Sequence, residues 1–359
     1  MTPQLLRSLT LVALLAAQAP AARAQTADAG VPAASAVMVS PTKQSDAATN
    51  RDLLELDPSS YTTTNFEWLD QQRNRRVPAR LYAASRPAAD GDLPLVVFSH
   101  GIGGSREGYT YLGRYLAAQG YASLHVQHVG SDSGAVWSGN PFLLVSRMAD
   151  AAQDREALSR VHDLRFALDQ MLASPDVPRI DRSRIAVAGH SYGANTAMLA
   201  AGASLQVKGL PVMLKDDRVA AAILLSAPPF YGYGNPLEIL SNIRIPTLHI
   251  TATEDTINIP GYVSGVDDRL AIYDAMGSRH PATKVLAVFK EGSHSVFTDR
   301  ARTGGTALNP KIKLATRQLA LAFLTQVFAG DQSGLRRWQS EHAPLTVRFE
   351  IAMQGITSP

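Results

Sequence analysis

The sequence predicts an α/β protein with a mostly parallel central sheet covered by helices on both faces. Three observations carry that expectation. Short, almost unbroken apolar runs such as LPLVVFSH read as strands buried on both sides, which is the habit of parallel sheets. Stretches of helical spacing such as YTYLGRYLAAQ alternate with these runs. No internal repeat interrupts the alternation, and the 359 residues, 45% of them hydrophobic, suffice for one large core.

The elements follow in order. MTPQLLRSLTLVALLAAQAPAARAQ has an early Arg7, an apolar run from Leu9 to Ala17, and small residues at Ala22 and Ala24. It reads as a secretory signal peptide over residues 1–24, cut after Ala24, with an apolar run too short to span a bilayer. Residues 25–58, rich in Ala, Ser, Thr, Pro and Asp, read as a disordered linker, and a single catalytic domain is expected over residues 59–359. TNFEWLD and RVPARLYA are two strands joined by the polar turn QQRNR. LPLVVFSH, a helix ending at Gly120, and the strand YASLHV follow. Residues 129–150 lack periodicity, and ADAAQDREALSRVHDLRFALDQMLA is a strong amphipathic helix. Strand RIAVAGH leads into helix SYGANTAMLAAGA. The strands RVAAAILLSA, IPTLHITAT and KVLAVFK and a last helix LATRQLALAFLTQVFAG complete the pattern, with the tail beyond Asp331 expected on the surface.

The net charge of +3 falls to +1 once Arg7 and Arg23 leave with the signal peptide, so no electrostatic footprint for nucleic acid is present. No further apolar stretch is long enough for a transmembrane segment. The absence of cysteine excludes disulfides, thiolate catalysis and cysteine-ligated metals. His125 and His128, with Asp132 nearby, are a thin metal motif, because residues three apart on a strand point to opposite faces.

The chemistry sits in GHSYG, residues 189–193. An apolar strand precedes it and an alanine-rich helix follows, so the chain must turn within very few residues. That turn forces Ser191 into a strained backbone conformation, and Gly189 and Gly193 relieve the crowding because they lack a Cβ. This is the G-x-S-x-G nucleophile elbow. A serine needs a base, and in hydrolases built on this elbow the partners follow in the order serine, acid, histidine. Of nine histidines, five precede the serine, His249 lies inside an apolar strand, His280 lies ahead of the last strand, and His342 lies in the tail. His294, in the loop EGSHSVF after the strand KVLAVFK, is the expected base. TATEDT supplies the acid, Asp255, with Glu254 as the other candidate. For the oxyanion hole, one backbone N–H comes from Tyr192 and the other from the glycine-rich loop SHGIGGSREG, at Ile102. Trp137 and Phe142, in the unpatterned segment, and Tyr231 and Tyr233, in PPFYGYGNP, are candidates for lining the substrate pocket.

LPLVVFSHGIGG, GYASLHVQHVGSD, GHSYGAN, TATEDT and GSHSVF together resemble the α/β-hydrolases grouped with platelet-activating-factor acetylhydrolase and the bacterial proteins called predicted dienelactone hydrolases. The resemblance runs over residues 61–328. It implies an α/β-hydrolase fold and hydrolysis of a small-molecule or lipid-like ester by the residues just assigned. Dienelactone hydrolases proper use a cysteine nucleophile; the serine here favours the acetylhydrolase-like branch. The expected protein is an exported serine esterase needing no metal or organic cofactor. Lipases, polyester hydrolases, amidases and peptidases share the triad, so they remain rivals. A catalytically silent binding protein is the rival from another class, and it would normally have lost a triad residue.

Overall fold

The hairpin opens the sheet: β1 (Tyr61–Asp70) pairs antiparallel with β2 (Arg75–Ala84) through the expected polar turn. The computed structural model describes residues 53–85, 91–175, 177–207, 210–230, 232–259, 262–277, 283–300, 303, 305 and 307–352, all within one compact unit, Lys43–Pro359. The expected signal peptide and most of the expected linker lie outside the described residues. Contacts begin before residue 59, because Arg317 donates to the carbonyls of Leu53 and Leu54.

After the hairpin come β3 (Leu93–Ser99), α1 (Thr110–Ala118), β4 (Ala122–Val126), α2 (Ser133–Trp137), α3 (Leu144–Ala151), α4 (Asp154–Ala173), β5 (Ile180–His190) and α5 (Tyr192–Ala201). A small hairpin, β6 (Ser204–Val207) and β7 (Leu210–Met213), leads to β8 (Ala221–Leu225), α6 (Pro236–Leu240) and β9 (Thr247–Glu254). A second hairpin, β10 (Ile257–Ile259) and β11 (Tyr262–Ser264), precedes α7 (Val266–Ala275) and β12 (Lys284–Ser293). The chain closes with α8 (Leu308–Ala329), α9 (Ser333–His342) and β13 (Thr346–Ala352).

Nine strands form one sheet in the order β1-β2-β4-β3-β5-β8-β9-β12-β13. β4, β3, β5, β8, β9 and β12 run parallel. Every residue of β3 and β8 is buried, as their unbroken apolar composition requires when helices cover both faces. One face packs against Leu164, Leu168 and Met171 of α4, Ala197 and Met198 of α5, and Ile272 of α7. The other packs against Leu112 and Leu116 of α1, Leu319 and Phe323 of α8, and Leu335 and Trp338 of α9. This is the expected doubly covered α/β sheet, and no helix among the described residues is long and apolar enough to cross a membrane.

Two expectations are corrected. The unpatterned segment contains α2 and α3, and the amphipathic helix breaks at Ala152–Gln153 without Gly or Pro. Tertiary contacts decide the break: Glu156, in the first turn of α4, is buried against Ser131 and Arg75. The tail does not lie on the surface. Trp338 is buried and donates from Nε1 to the Ala315 carbonyl, and β13 becomes the antiparallel edge of the sheet.

Among the described residues, five histidines are 4% exposed or less: His100, His125, His128, His190 and His249. In four of them one ring nitrogen faces an acceptor and the other a donor, which specifies the neutral ring. His100 donates to the Gly101 carbonyl and accepts from the His128 amide. His125 faces the Gly108 carbonyl and the Ser123 hydroxyl, and His128 faces Asp163 and the Ser99 hydroxyl. Burial pushes His125, His128, His190 and His249 down to about 3, and His100 well below its ordinary value.

A pH dependence of stability follows. The unfolded chain takes up protons on these histidines near pH 6.5, and the folded chain does not, so their stabilisation is present above that pH and lost below it. Each loses about 1 kcal/mol between pH 7 and 5.5, roughly 5 kcal/mol together at most. Urea unfolding at the two pH values is expected to show the midpoint falling by about 1–2 M.

Candidate active site

The parallel strands all present their C-terminal ends at one edge, and the residues following β3, β5, β9 and β12 meet there. Ser191 follows β5 directly and caps α5, with φ 54° and ψ −125°, a region that a residue bearing a Cβ occupies only at a cost of about 1–3 kcal/mol. Its amide donates to the Leu225 carbonyl at the end of β8 (2.9 Å), which pins the turn to the sheet. The flanking glycines have the steric reason expected of them. A Cβ on Gly193 would stand 1.9 Å from the Ser99 carbonyl oxygen, and one on Gly189 would stand 2.1 Å from the Gly193 carbonyl oxygen.

His294 lies at the end of β12 and Asp255 just past β9. His294 Nε2 is 2.8 Å from Ser191 Oγ, and His294 Nδ1 is 2.7 Å from Asp255 Oδ1. With Nδ1–H donating to the carboxylate, Nε2 is left to accept from the serine hydroxyl. Asp255 is buried, and Thr251 Oγ1 donates to its other oxygen at 2.6 Å. Burial alone would raise its pKa, but the His294 hydrogen bond and the Arg269 charge hold the carboxyl well below its usual range. The adjacent Glu254 is exposed and is not brought to the histidine.

The loop after β3 passes beside the serine. A Cβ on Gly101 would lie 3.3 Å from Ser191 Cβ, so glycine permits this approach. Among the described residues, neither the Ile102 amide nor the Tyr192 amide, the first N–H of α5, has a protein acceptor. The loop is held from the far side by Gly103 N to the Ser131 carbonyl (2.9 Å) and Ser133 N to the Gly104 carbonyl (2.7 Å). Trp137 Nε1 donates to the Gly103 carbonyl (2.8 Å). Beneath it lies Arg160, fully buried, donating to Thr196, Ser131 and Ser99 hydroxyls and to the His100 carbonyl, with its guanidinium 4.6 Å from the Tyr192 ring. Burial lowers its pKa to about 10, which leaves it charged at neutral pH.

A second polar chain ties the two loops together. Gly101 N donates to Tyr109 Oη (3.3 Å), Tyr109 Oη donates to His190 Nδ1 (2.9 Å), and His190 Nε2 donates to the His294 carbonyl (2.9 Å). Burial keeps Tyr109 protonated and His190 neutral, so each donor in the chain has one direction. Tyr109, His190, Thr251, Arg160 and Arg269 escaped the sequence reading. Arg160 carried a signal, since it falls on the stripe Val161, Leu164, Leu168 and Met171 that α4 turns to the core.

Of the candidate pocket residues, Trp137, the last residue of α2, reaches the loop after β3 through its hydrogen bond to Gly103. Phe142 is 94% exposed on the same segment and is not brought to Ser191. Tyr233 hydrogen-bonds Asp154 at the start of α4. Tyr231 lies outside the described residues.

Comparison with known proteins agrees with this architecture. The family description "Platelet-activating factor acetylhydrolase, isoform II" matches residues 71–142. The platelet-activating factor acetylhydrolase of Cavia porcellus is 25% identical over 311 residues, covering 74% of this chain and 64% of that one. The Bos taurus protein of the same name is 30% identical over 142 residues, covering 29% and 31%. This chain thus spans less than two thirds of the length of these relatives. A ferulic acid esterase structure from Streptomyces cinnamoneus superposes with a TM-score of 0.54 at 22% identity, covering 78% of this chain and 93% of that one, and shares the fold. The chain has the α/β-hydrolase fold of that esterase, and its sequence is similar to the platelet-activating factor acetylhydrolases.

Two substitutions test the geometry. Gly193→Ala forces backbone against backbone at Ser99 and is expected to cost about 3 kcal/mol or more, read as a lowered urea midpoint. Tyr109→Phe leaves the buried His190 Nδ1 and the Gly101 amide without their partner, at a cost of about 1–3 kcal/mol in the same measurement.

Proposed function

We propose that the protein is a serine hydrolase of carboxylic esters, acting through an acyl-enzyme on Ser191. The observation that carries this reading is the unbroken hydrogen-bonded line from Asp255 through His294 to the hydroxyl of an elbow serine. Ser191 Oγ attacks the ester carbonyl as His294 Nε2 takes its proton. The carbonyl oxygen, now an anion, is received by the amides of Ile102 and Tyr192, and the α5 N-terminus adds its favourable dipole. His294 returns the proton to the departing alcohol. Water then attacks the acyl-enzyme with His294 again as base, and the acid is released. Asp255 remains ionised throughout, orienting the ring and balancing its positive charge. The steps assigned here call on no group beyond these side chains and amides.

The relatives' name supports a short acyl group on a lipid-like alcohol. The matched residues 71–142 include the loop after β3 and the segment that follows it. Export by the leader Met1–Ala24 belongs to the same proposal, and its check is N-terminal sequencing of the mature protein, expected to start at Gln25.

The activity test is hydrolysis of p-nitrophenyl esters from acetate to palmitate by the wild type and Ser191→Ala. Wild-type turnover is expected to be greatest on acetate and to fall with chain length. The substitution is expected to reduce kcat/KM by about 10⁴-fold or more, and to abolish labelling by a fluorophosphonate. A palmitate optimum points to a lipase instead, and full activity in Ser191→Ala overturns the mechanism.

A further inference from the structure

The helix α7 turns the stripe Arg269, Ile272 and Tyr273 to the interior, and these three and the following Met276 are buried. An arginine in such a stripe is costly unless its charge is answered. Arg269 is 3% exposed. Its Nη1 donates to Ser264 Oγ (2.7 Å) and to the Gly265 carbonyl (2.9 Å), which ties the guanidinium to the turn that starts its own helix. Its Nε and Nη2 have no hydrogen-bond partner among the described residues. Among the described residues, the carboxylate within ion-pair reach is Asp255, whose Oδ2 lies 3.5 Å from Nε.

The two oxygens of Asp255 therefore have separate duties. Oδ1 accepts from His294, while Oδ2 accepts from Thr251 and faces Arg269. We propose that Arg269 is a positioning residue for the triad acid: it fixes the carboxylate so that Oδ1 meets His294, and it offsets part of the negative charge that His294 senses. This inference rests on the assignment of Ser191, His294 and Asp255 as the reacting triad. Arg269 touches neither substrate nor base.

The charge environment of His294 is compact. From β9 comes Asp255, and from α7 comes Arg269 behind it. From β5 comes His190, neutral and 4.8 Å away ring to ring, with the protonated Tyr109 hydroxyl beyond it. Glu254 and Glu291 at the ends of β9 and β12 are exposed, where solvent screens them. Arg269 is thus the buried cation placed to moderate the pull of Asp255 on the imidazole proton. Without it, a fully expressed carboxylate charge keeps His294 protonated to higher pH, where it is no longer a base.

The test is the pH profile of kcat/KM for p-nitrophenyl acetate between pH 5 and 9, in the wild type, Arg269→Gln and Arg269→Lys, with Ser191→Ala as the reference for the reaction itself. Near-UV circular dichroism reports whether each variant folds. In Arg269→Gln the acid limb is expected to move up by about one pH unit, with a plateau about ten-fold lower. Arg269→Lys keeps the charge but cannot span Ser264 and Asp255 together. It is expected to keep the limb in place and to lose only plateau rate. An Arg269→Gln limb that superposes on the wild type shows a packing role and overturns the proposal. If Arg269→Gln does not fold, Arg269→Lys decides: a limb shifted by about half a unit or more overturns it, and an unshifted limb with a lowered plateau upholds it. A wild type inactive on esters, or a Ser191→Ala variant that retains the rate, overturns the triad assignment and this inference with it.

Discussion

The site depends on how closely α5 approaches the end of β3. At Gly193 that approach leaves no room for a single methyl group against the Ser99 carbonyl. Because the helix starts so near the sheet, the chain has one residue in which to turn, and Ser191 absorbs the turn in a strained conformation. Because β3 ends at the same place, the loop that leaves it passes beside the serine at Gly101. Ser191, the first amide of α5 and the loop after β3 are thus brought together by one steric constraint. The strain at Ser191 is local, and the sheet that imposes it is buried on both faces, which makes the turn rigid rather than costly in order.

Around this point the interior is unusually polar, and most of its histidines and charged groups are held by partners. His100, His125, His128 and His190 each donate from one nitrogen and accept at the other, so none demands a proton. Asp163 gathers His128, Arg73 and Arg75, and Arg160 gathers three hydroxyls and a carbonyl. Such networks rigidify when complete. Here they brace the loop after β3 from below, while Trp137 and the 131–133 segment brace it from the side. The Tyr109–His190 chain then links that loop to the backbone of His294, so the two sides of the site are held in one register.

Much of this was legible in the sequence. The strand–turn–helix around Ser191 and the buried parallel strands are short-range signals, and the structure has both. Glu254, at the end of β9, is exposed, while Asp255, just past the strand, is buried. What was not legible depends on contacts far apart in sequence. The break before α4 is set by Glu156 meeting Arg75 and Ser131, and no local residue marks it. The tail becomes β13 because β12 offers it a free edge, which is a property of the finished sheet. Tyr109 sits in an ordinary helix start, and its role depends on a histidine 81 residues away. The exceptions are Arg160 and Arg269. Each breaks an apolar stripe, and a cation on a core-facing position is a readable sign of a buried polar function.

Those two arginines also give the site a direction. On the proposed mechanism, attack separates charge: an anion grows at the Ile102 and Tyr192 amides while a cation grows on His294. Arg160 lies under the anionic side, in contact with the His100 carbonyl and the Tyr192 ring. Asp255 lies under the cationic side. The fixed charges are therefore arranged along the displacement the reaction requires, and being buried they need no reorganisation when it occurs. A bare carboxylate on the cationic side would favour the imidazolium too early, in the resting enzyme, and turn that same field against the base. Arg269 limits this without removing the carboxylate, because it meets the oxygen that His294 does not use. The separation of duties between the two oxygens of Asp255 is what lets one residue orient the base and still leave it free to accept a proton.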